Sequence, residues 1–310
     1  MIRSQKSDRI IFIVGPTAVG KSAVAACLAR KLDSEVVSCD SMQVYKGMRI
    51  ISSYPDRKFL KAVRHRLISS VPANREYNVS RYRRQALREI SRIRASGKVP
   101  VFSGGTGLYM SVLTDGIFKV KPISRKIRER LYRRAEIKGS SYLHKRLKKV
   151  DPEAAGRIHP NDTKRTIRAL EVFEGAGKPI SLLQKQRSGL RADYDVRIFC
   201  LNRERPELYR RIDSRVETMF RSGLLNEVKR LLRSGLSKTS CTALGIKEVK
   251  RHIDGEYDLE EAKRLLKLNT RRYAKRQLTW FRKDKGIIWI NISEGEGHNV
   301  TADRIWKKLS

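Results

Sequence analysis

A chain of 310 residues, 40% of them hydrophobic, is long enough to bury a sizeable core, which excludes a disordered or low-complexity protein. Its 69 Lys and Arg against 32 acidic residues give a formal charge of +37, spread from end to end. This points to a polyanionic partner, nucleic acid ahead of an acidic membrane surface, with a general compositional bias toward basic proteins as the plain alternative.

No run of eighteen apolar residues exists, and no amphipathic anchor or lipidation signal is present, so no membrane span or membrane partner is expected. Met1 to Lys6 contain no secretory core. Cys27, Cys39, Cys200 and Cys241 are too dispersed for a disulfide framework or a zinc site, so a cytoplasmic location is expected.

The apolar run at 10–14 predicts a strand, followed by Gly15-Pro16-Thr17-Ala18-Val19-Gly20-Lys21-Ser22, a full match to G-x-x-x-x-G-K-[ST]. A helical pattern with Val24, Leu28 and Leu32 on one side comes next. Strand, glycine turn and helix is the context in which backbone N–H groups turn toward an anion, and Lys21 and the helix dipole add positive charge. A polyphosphate or pyrophosphate site is expected here; an empty tight turn is the bland alternative.

Further strands are predicted at 35–39 and 99–103, with a helix at 82–95 between them that sets Ala86, Leu87, Ile90 and Ile93 on one side. This alternation predicts an α/β fold with a parallel sheet, whose ligands bind beyond the carboxyl ends of strands. The segments at 15–22, 40–47 and 104–109 all follow strands and would converge on one crevice. From 119 to 192 the pattern turns charged and helical, with candidates at 125–137, 141–149 and 163–175. A strand at 196–201 follows, then helices at 205–223, 224–234 and 258–285, and a last strand at 287–290. The helix at 258–285 opens on Asp258 and Glu261, a capping-box-like pair, and is basic on its outer faces. Its Tyr273, Trp280 and Phe281 are at core spacing and read as packing rather than base-stacking. The domain reading is a core over 1–118, a helical insertion over 119–192, and the second part of the core over 193–310.

Asp40 follows the apolar stretch Val36-Val37-Ser38-Cys39 at a strand end, where an ATPase holds its metal. It continues as Asp40-Ser41-Met42-Gln43-Val44-Tyr45-Lys46-Gly47-Met48. With Gly104-Gly105-Thr106-Gly107-Leu108-Tyr109 and Arg272-Tyr273-Ala274-Lys275-Arg276-Gln277-Leu278-Thr279-Trp280-Phe281-Arg282, this motif strongly resembles the tRNA dimethylallyltransferase family. R-I-H-P-N-D at 157–162, R-A-L-E-V at 168–172, R-I-D-S-R at 211–215 and A-L-G-I-K-E at 243–248 extend the resemblance over almost the whole chain, in order.

The resemblance implies a P-loop NTPase-like parallel sheet flanked by helices, with a helical insertion domain facing tRNA. It implies attack of the N6 amine of adenosine 37, in the tRNA anticodon stem-loop, on dimethylallyl diphosphate, with Mg²⁺ as cofactor and pyrophosphate released. Gly15, Pro16, Thr17, Ala18, Val19, Gly20, Lys21 and Ser22 would cradle the diphosphate, with Ser22 on the metal. Asp40 would be the general base, and Arg215 and Thr106 would act on the departing phosphate with Thr17. Asp40, Ser41, Met42, Gln43, Arg128, Lys164, Arg165, Thr166, Ile167, Arg168, Thr242, Gly245, Lys247 and Arg276 would line the tRNA path, into which the target base must be extracted from its stack. A monomer is expected. Asp40 could instead hold only metal or water, Arg215 could be one more solvated helix residue, and Thr106 could simply cap a helix.

The chain departs from the family at Arg49-Ile50-Ile51-Ser52-Ser53-Tyr54-Pro55, where the usual pattern is close to D-I-G-T-A-K-P, and at Ile246, which replaces an aromatic. Ser41 resembles the tRNA-modifying branch rather than relatives that prenylate free adenine nucleotides. The competing readings are a P-loop nucleoside or small-molecule kinase, an adenylate prenyltransferase, and a nonenzymatic RNA-binding protein on the same scaffold.

Overall fold

The computed structural model describes residues 8–118 and 120–309. Residues 1–6 and Lys119, beside which the sequence sets its first domain boundary, lie outside the described residues. The chain forms two compact units, Met1–Thr114 with Asp193–Ser310, and Asp115–Ala192.

In the first unit, β1 (Arg9–Val14), β2 (Val36–Ser38), β3 (His65–Arg66), β4 (Val101–Gly104), β5 (Asp195–Asn202) and β6 (Ile288–Asn291) form one sheet. Their order is β3-β2-β4-β1-β5-β6 and every pairing is parallel, as the alternation predicts. α1 (Lys21–Lys31), α2 (Arg57–Ala62), α3 (Val79–Ala95) and α4 (Gly107–Thr114) precede the second unit. That unit is built from α5 (Arg125–Lys138), α6 (Ser140–Val150), α7 (Pro152–Arg157), α8 (Thr163–Ala176) and α9 (Ile180–Lys185). After it come α10 (Arg205–Arg221), α11 (Leu224–Arg233), α12 (Ile246–Ile253), α13 (Leu259–Phe281) and α14 (His298–Lys307).

β1 is the central strand and reads as a continuous apolar run because both of its faces are covered. Ile11 and Ile13 join Phe199 and Leu201 of β5 on one face, packed with Leu28 of α1, Ile212 of α10 and Ile305 of α14. Phe12 points the other way and stacks on its register partner Phe102 at 4.6 Å. Element ends differ from the sequence reading where capping decides them. α3 starts at Val79 because the Asn78 side chain accepts from the Arg81 N–H at 2.9 Å. Asp258 does the same for α13 through the Glu261 N–H at 2.8 Å, and α13 stops at Phe281.

The second unit has its own core, with Leu131 of α5, Leu143 and Leu147 of α6, and Leu170 of α8 fully enclosed. Buried Glu171 accepts from Arg128 at 3.0 and 2.9 Å and from Arg168 at 2.9 Å. Burial pushes this carboxyl up, but the two arginines hold it below the usual carboxylate range.

Candidate active site

The loop after β1 is shaped by its glycines. Gly15 has φ 142°, and a Cβ there would sit 2.6 Å from the Leu201 carbonyl oxygen, so only glycine lets the loop turn against β5. Gly20 adopts a left-handed conformation and opens α1 without a side-chain cap, which leaves first-turn N–H groups for an anion. Thr17, Ala18, Gly20, Lys21 and Ser22 line a cavity of about 1110 Å³. Gly15, Pro16 and Val19 are buried behind it, Val19 rooting the loop in the core. Lys21 Nζ donates to the Pro16 carbonyl at 2.8 Å. Burial pulls the Lys21 ammonium down to about 8; Asp40 opposes this and Arg215 adds to it.

Asp40 enters the same cavity from the end of β2. Its Oδ1 accepts from the Met42 N–H at 2.9 Å and the Gln43 N–H at 3.4 Å, which folds residues 40–43 into a tight turn. Among the described residues, Oδ2 has no hydrogen bond. Thr106 braces this turn from the β4–α4 loop. Its Oγ1 accepts from the Ser41 N–H at 3.0 Å and donates to Ser41 Oγ at 3.3 Å, and the residue does not line the cavity. Gln43 is fixed at both ends of its amide, accepting from Ser38 Oγ at 3.0 Å and donating to the Ser53 carbonyl at 3.2 Å.

α10 supplies the cations. Arg215 lines the cavity and donates from Nη1 to Thr17 Oγ1 at 2.6 Å. Burial brings its guanidinium down to about 10, with Asp40 opposing, so it remains charged at neutral pH. One turn earlier on α10, Arg211 Nε donates to the Ala18 carbonyl at 2.9 Å, and Arg203, which precedes the helix, reaches the Val19 carbonyl from Nε at 3.3 Å. Sequence reasoning gave neither Arg203 nor Arg211 a role, although Arg211 opens the R-I-D-S-R motif and shares a helix face with Arg215 at i,i+4.

The far wall includes Ile51, Tyr54, Ala243, Leu244, Tyr273 and Arg276. Residues 49–51, within the stretch that departs from the family pattern, are held by Glu227, a buried carboxylate on α11. It accepts from the N–H groups of Arg49 at 3.1 Å, Ile50 at 2.9 Å and Ile51 at 2.9 Å. The Arg49 guanidinium lies 5.5 Å from the Tyr54 ring centroid. Tyr273 corrects the packing reading: it faces the cavity, where burial and the Asp40 charge push its phenol above the usual range. Phe281 is core, as its spacing predicts.

Other residues expected on the tRNA path fall in different places. Ser41, Met42, Gln43, Thr242 and Arg276 line the cavity. Gly245 is buried against Ile51 and Leu266, and Lys247 is exposed on α12. In the second unit Lys164 and Arg165 are exposed on α8, and Arg128 and Arg168 engage Glu171. Thr166 and Ile167 are buried there, because the inner face of an amphipathic helix cannot also meet solvent.

Among the described residues no group of three or more His, Cys, Asp or Glu could hold a metal ion. Ser22 and Asp40 do bring two oxygen donors to one cavity. That donor set fits Mg²⁺, which binds through one or two protein oxygens and completes its shell with water and substrate phosphate. Among the described residues, no helix is long and apolar enough to cross a membrane.

A profile of the IPP transferase family matches residues 43–284. A tRNA dimethylallyltransferase of Halothermothrix orenii is 42% identical over 307 residues, covering 98% of this chain and 93% of that protein. The crystal structure of the full-length tRNA isopentenylpyrophosphate transferase of Bacillus halodurans superposes with a TM-score of 0.70 at 36% identity, over 97% of each chain. A eukaryotic dimethylallyltransferase captured acting on tRNA superposes with a TM-score of 0.82 at 28% identity, over 96% of this chain and 77% of that one.

Proposed function

This chain belongs to the IPP transferase family, and on that premise we propose that it transfers a dimethylallyl group from dimethylallyl diphosphate to the N6 amine of adenosine 37 in tRNA, releasing pyrophosphate. The observation that carries this reading is the convergence of Lys21, Asp40 and Arg215 on one cavity that also holds the Thr17 hydroxyl. Cations and a hydroxyl donor serve a leaving diphosphate, and a carboxylate across from them serves an incoming amine.

Lys21 and the first-turn N–H groups of α1 bind the diphosphate. Arg215 and Thr17 meet the oxygen that gathers charge as the carbon–oxygen bond breaks. Asp40 accepts the proton that N6 sheds as it attacks C1, with its turn held by Ser41 and Thr106. Ser22 would hold Mg²⁺, with water and substrate phosphate completing its shell, and the ion would supply positive charge against the departing diphosphate. The +37 charge supports a tRNA substrate, and exposed Lys164, Arg165, Lys247 and Arg276 are its proposed phosphate contacts. The neighbouring cavity wall would take up the extracted base, with Met42, Thr242 and Tyr273 around it.

The test is transfer of labelled dimethylallyl from its diphosphate to an unmodified anticodon stem-loop with adenosines at positions 36 to 38. AMP, and ATP without a prenyl donor, run in parallel. Label on the stem-loop alone is the expected result. Label on AMP would move the chain to the nucleotide-prenylating branch, and ATP consumption without label would restore the kinase reading.

A further inference from the structure

β1 and β4 are neighbours in the sheet, and their last register pair is Val14 with Gly104. Beyond it the two chains diverge, one into the phosphate loop and one into the Gly105–Thr106 turn. The next backbone groups would lose their ladder partners there. A side chain fills the gap. Gln277, 6% exposed on α13, accepts from the Thr17 N–H at 2.9 Å through Oε1 and donates from Nε2 to the Gly105 carbonyl at 2.8 Å. The amide orientation follows from its partners, since an N–H must face the oxygen and a carbonyl must face the NH₂ group. A Cβ on Gly105 would stand 2.2 Å from Nε2, so glycine there leaves room for the amide.

Thr17 is thus held twice, by Gln277 at its N–H and by Arg215 at its hydroxyl. Pro16, just before it, has no N–H of its own to hold the turn. We propose that Gln277 is a positioning residue for diphosphate departure: its amide fixes the backbone of Thr17 so that the Thr17 hydroxyl and Arg215 stay aligned in the cavity. The inference rests on the prenyl-transfer reading for its catalytic meaning, while the bridge itself stands on the geometry.

The experiment compares Gln277→Met, Gln277→Glu, Thr17→Ala and the Thr17→Ala/Gln277→Met double variant, each checked for folding by thermal melting. Gln277→Met is close in size and lacks both hydrogen bonds. Gln277→Glu keeps an acceptor for Thr17 and sets a second oxygen against the Gly105 carbonyl. Gln277→Met should lower kcat for prenyl transfer about 10- to 100-fold, with Kd for the stem-loop changed by less than about twofold. Gln277→Glu should fall between it and the wild type. The double variant should be no slower than the worse single variant, because both act through Thr17.

Independent, multiplying effects, an equal loss of stem-loop binding, or wild-type kinetics in Gln277→Met would each overturn the proposal. Affinity for inorganic pyrophosphate, measured by calorimetry on the same proteins, separates the two claims. A wild type that transfers no prenyl group, with pyrophosphate binding still weakened non-additively in these variants, would refute the proposed reaction and leave the role of Gln277 at the phosphate loop standing. Unchanged pyrophosphate affinity together with unchanged kcat would refute that role. Should Gln277→Met not fold, Gln277→Glu decides by the same criteria.

Discussion

Arg215 Nη1 lies 2.6 Å from Thr17 Oγ1, joining the middle of α10 to the phosphate loop. A guanidinium would otherwise be free to move among solvent and substrate oxygens. Bonded to Thr17, it would meet a bound diphosphate with its geometry already set, leaving little reorganisation for bond breaking.

Arg215→Ala should therefore act on the rate more than on binding. The expected loss in kcat is about 10²–10³-fold, the scale of removing one oxyanion donor, with stem-loop affinity unchanged. Single-turnover transfer and filter binding on the same preparation check it. Loss of both in equal measure would mean Arg215 grips RNA instead.

Asp40→Asn is a cleaner variant than Asp40→Ala, because an amide oxygen can still accept from the Met42 and Gln43 N–H groups that define the turn. Turnover should drop by about 10²–10⁴-fold while tRNA still binds. Parallel loss of tRNA binding would remove Asp40 from the role of base.

Burial disfavours the charge of the Lys21 ammonium and brings it down from its ordinary value near 10.5 to about 8. A diphosphate favours the protonated form. Affinity for dimethylallyl diphosphate should then be level below about pH 8 and weaken toward tenfold per pH unit above it. Lys21→Arg, which stays charged, should remove that dependence. Calorimetry from pH 6.5 to 9.5 reads it directly, and a flat wild-type profile would contradict the assignment.

Affinity for tRNA should fall steeply with salt. If six or more phosphates are neutralised, the drop between 50 and 200 mM is about 10³-fold or more. A change below about threefold would sever the link between the +37 charge and RNA.

Glu227→Ala leaves the N–H groups of Arg49, Ile50 and Ile51 without their carboxylate. The expected loss is about 2–4 kcal/mol, given that each stranded buried donor costs on the order of 1 kcal/mol or more. The urea midpoint should fall accordingly; an unchanged midpoint would show that water replaces the carboxylate at no cost.

The sequence revealed the parallel sheet and the convergence of the phosphate loop with Asp40, because strand runs and glycine turns are local signals. What it concealed is long-range. Gln277 and Glu227 lie in helices whose periodicity marks them only as inward-facing, and their partners are far away in sequence. β3 has two residues, too few for any pattern. Tyr273 was misread because spacing tells which face of a helix turns inward, and cannot tell a packed interior from a cavity wall.

The order of strands also bears on how the chain is made. β1 and β4 can pair once residue 104 has been synthesised, yet β5, the other neighbour of β1, begins only at Asp195. At about 5–20 residues per second, the intervening stretch takes on the order of ten seconds to emerge from the ribosome. For that interval the central strand presents an open apolar edge, the kind that pairs with other chains. The second unit, whose core is built from its own residues, is complete before that edge closes. Until β5 arrives, that edge is where the nascent chain is most open to pairing with another strand.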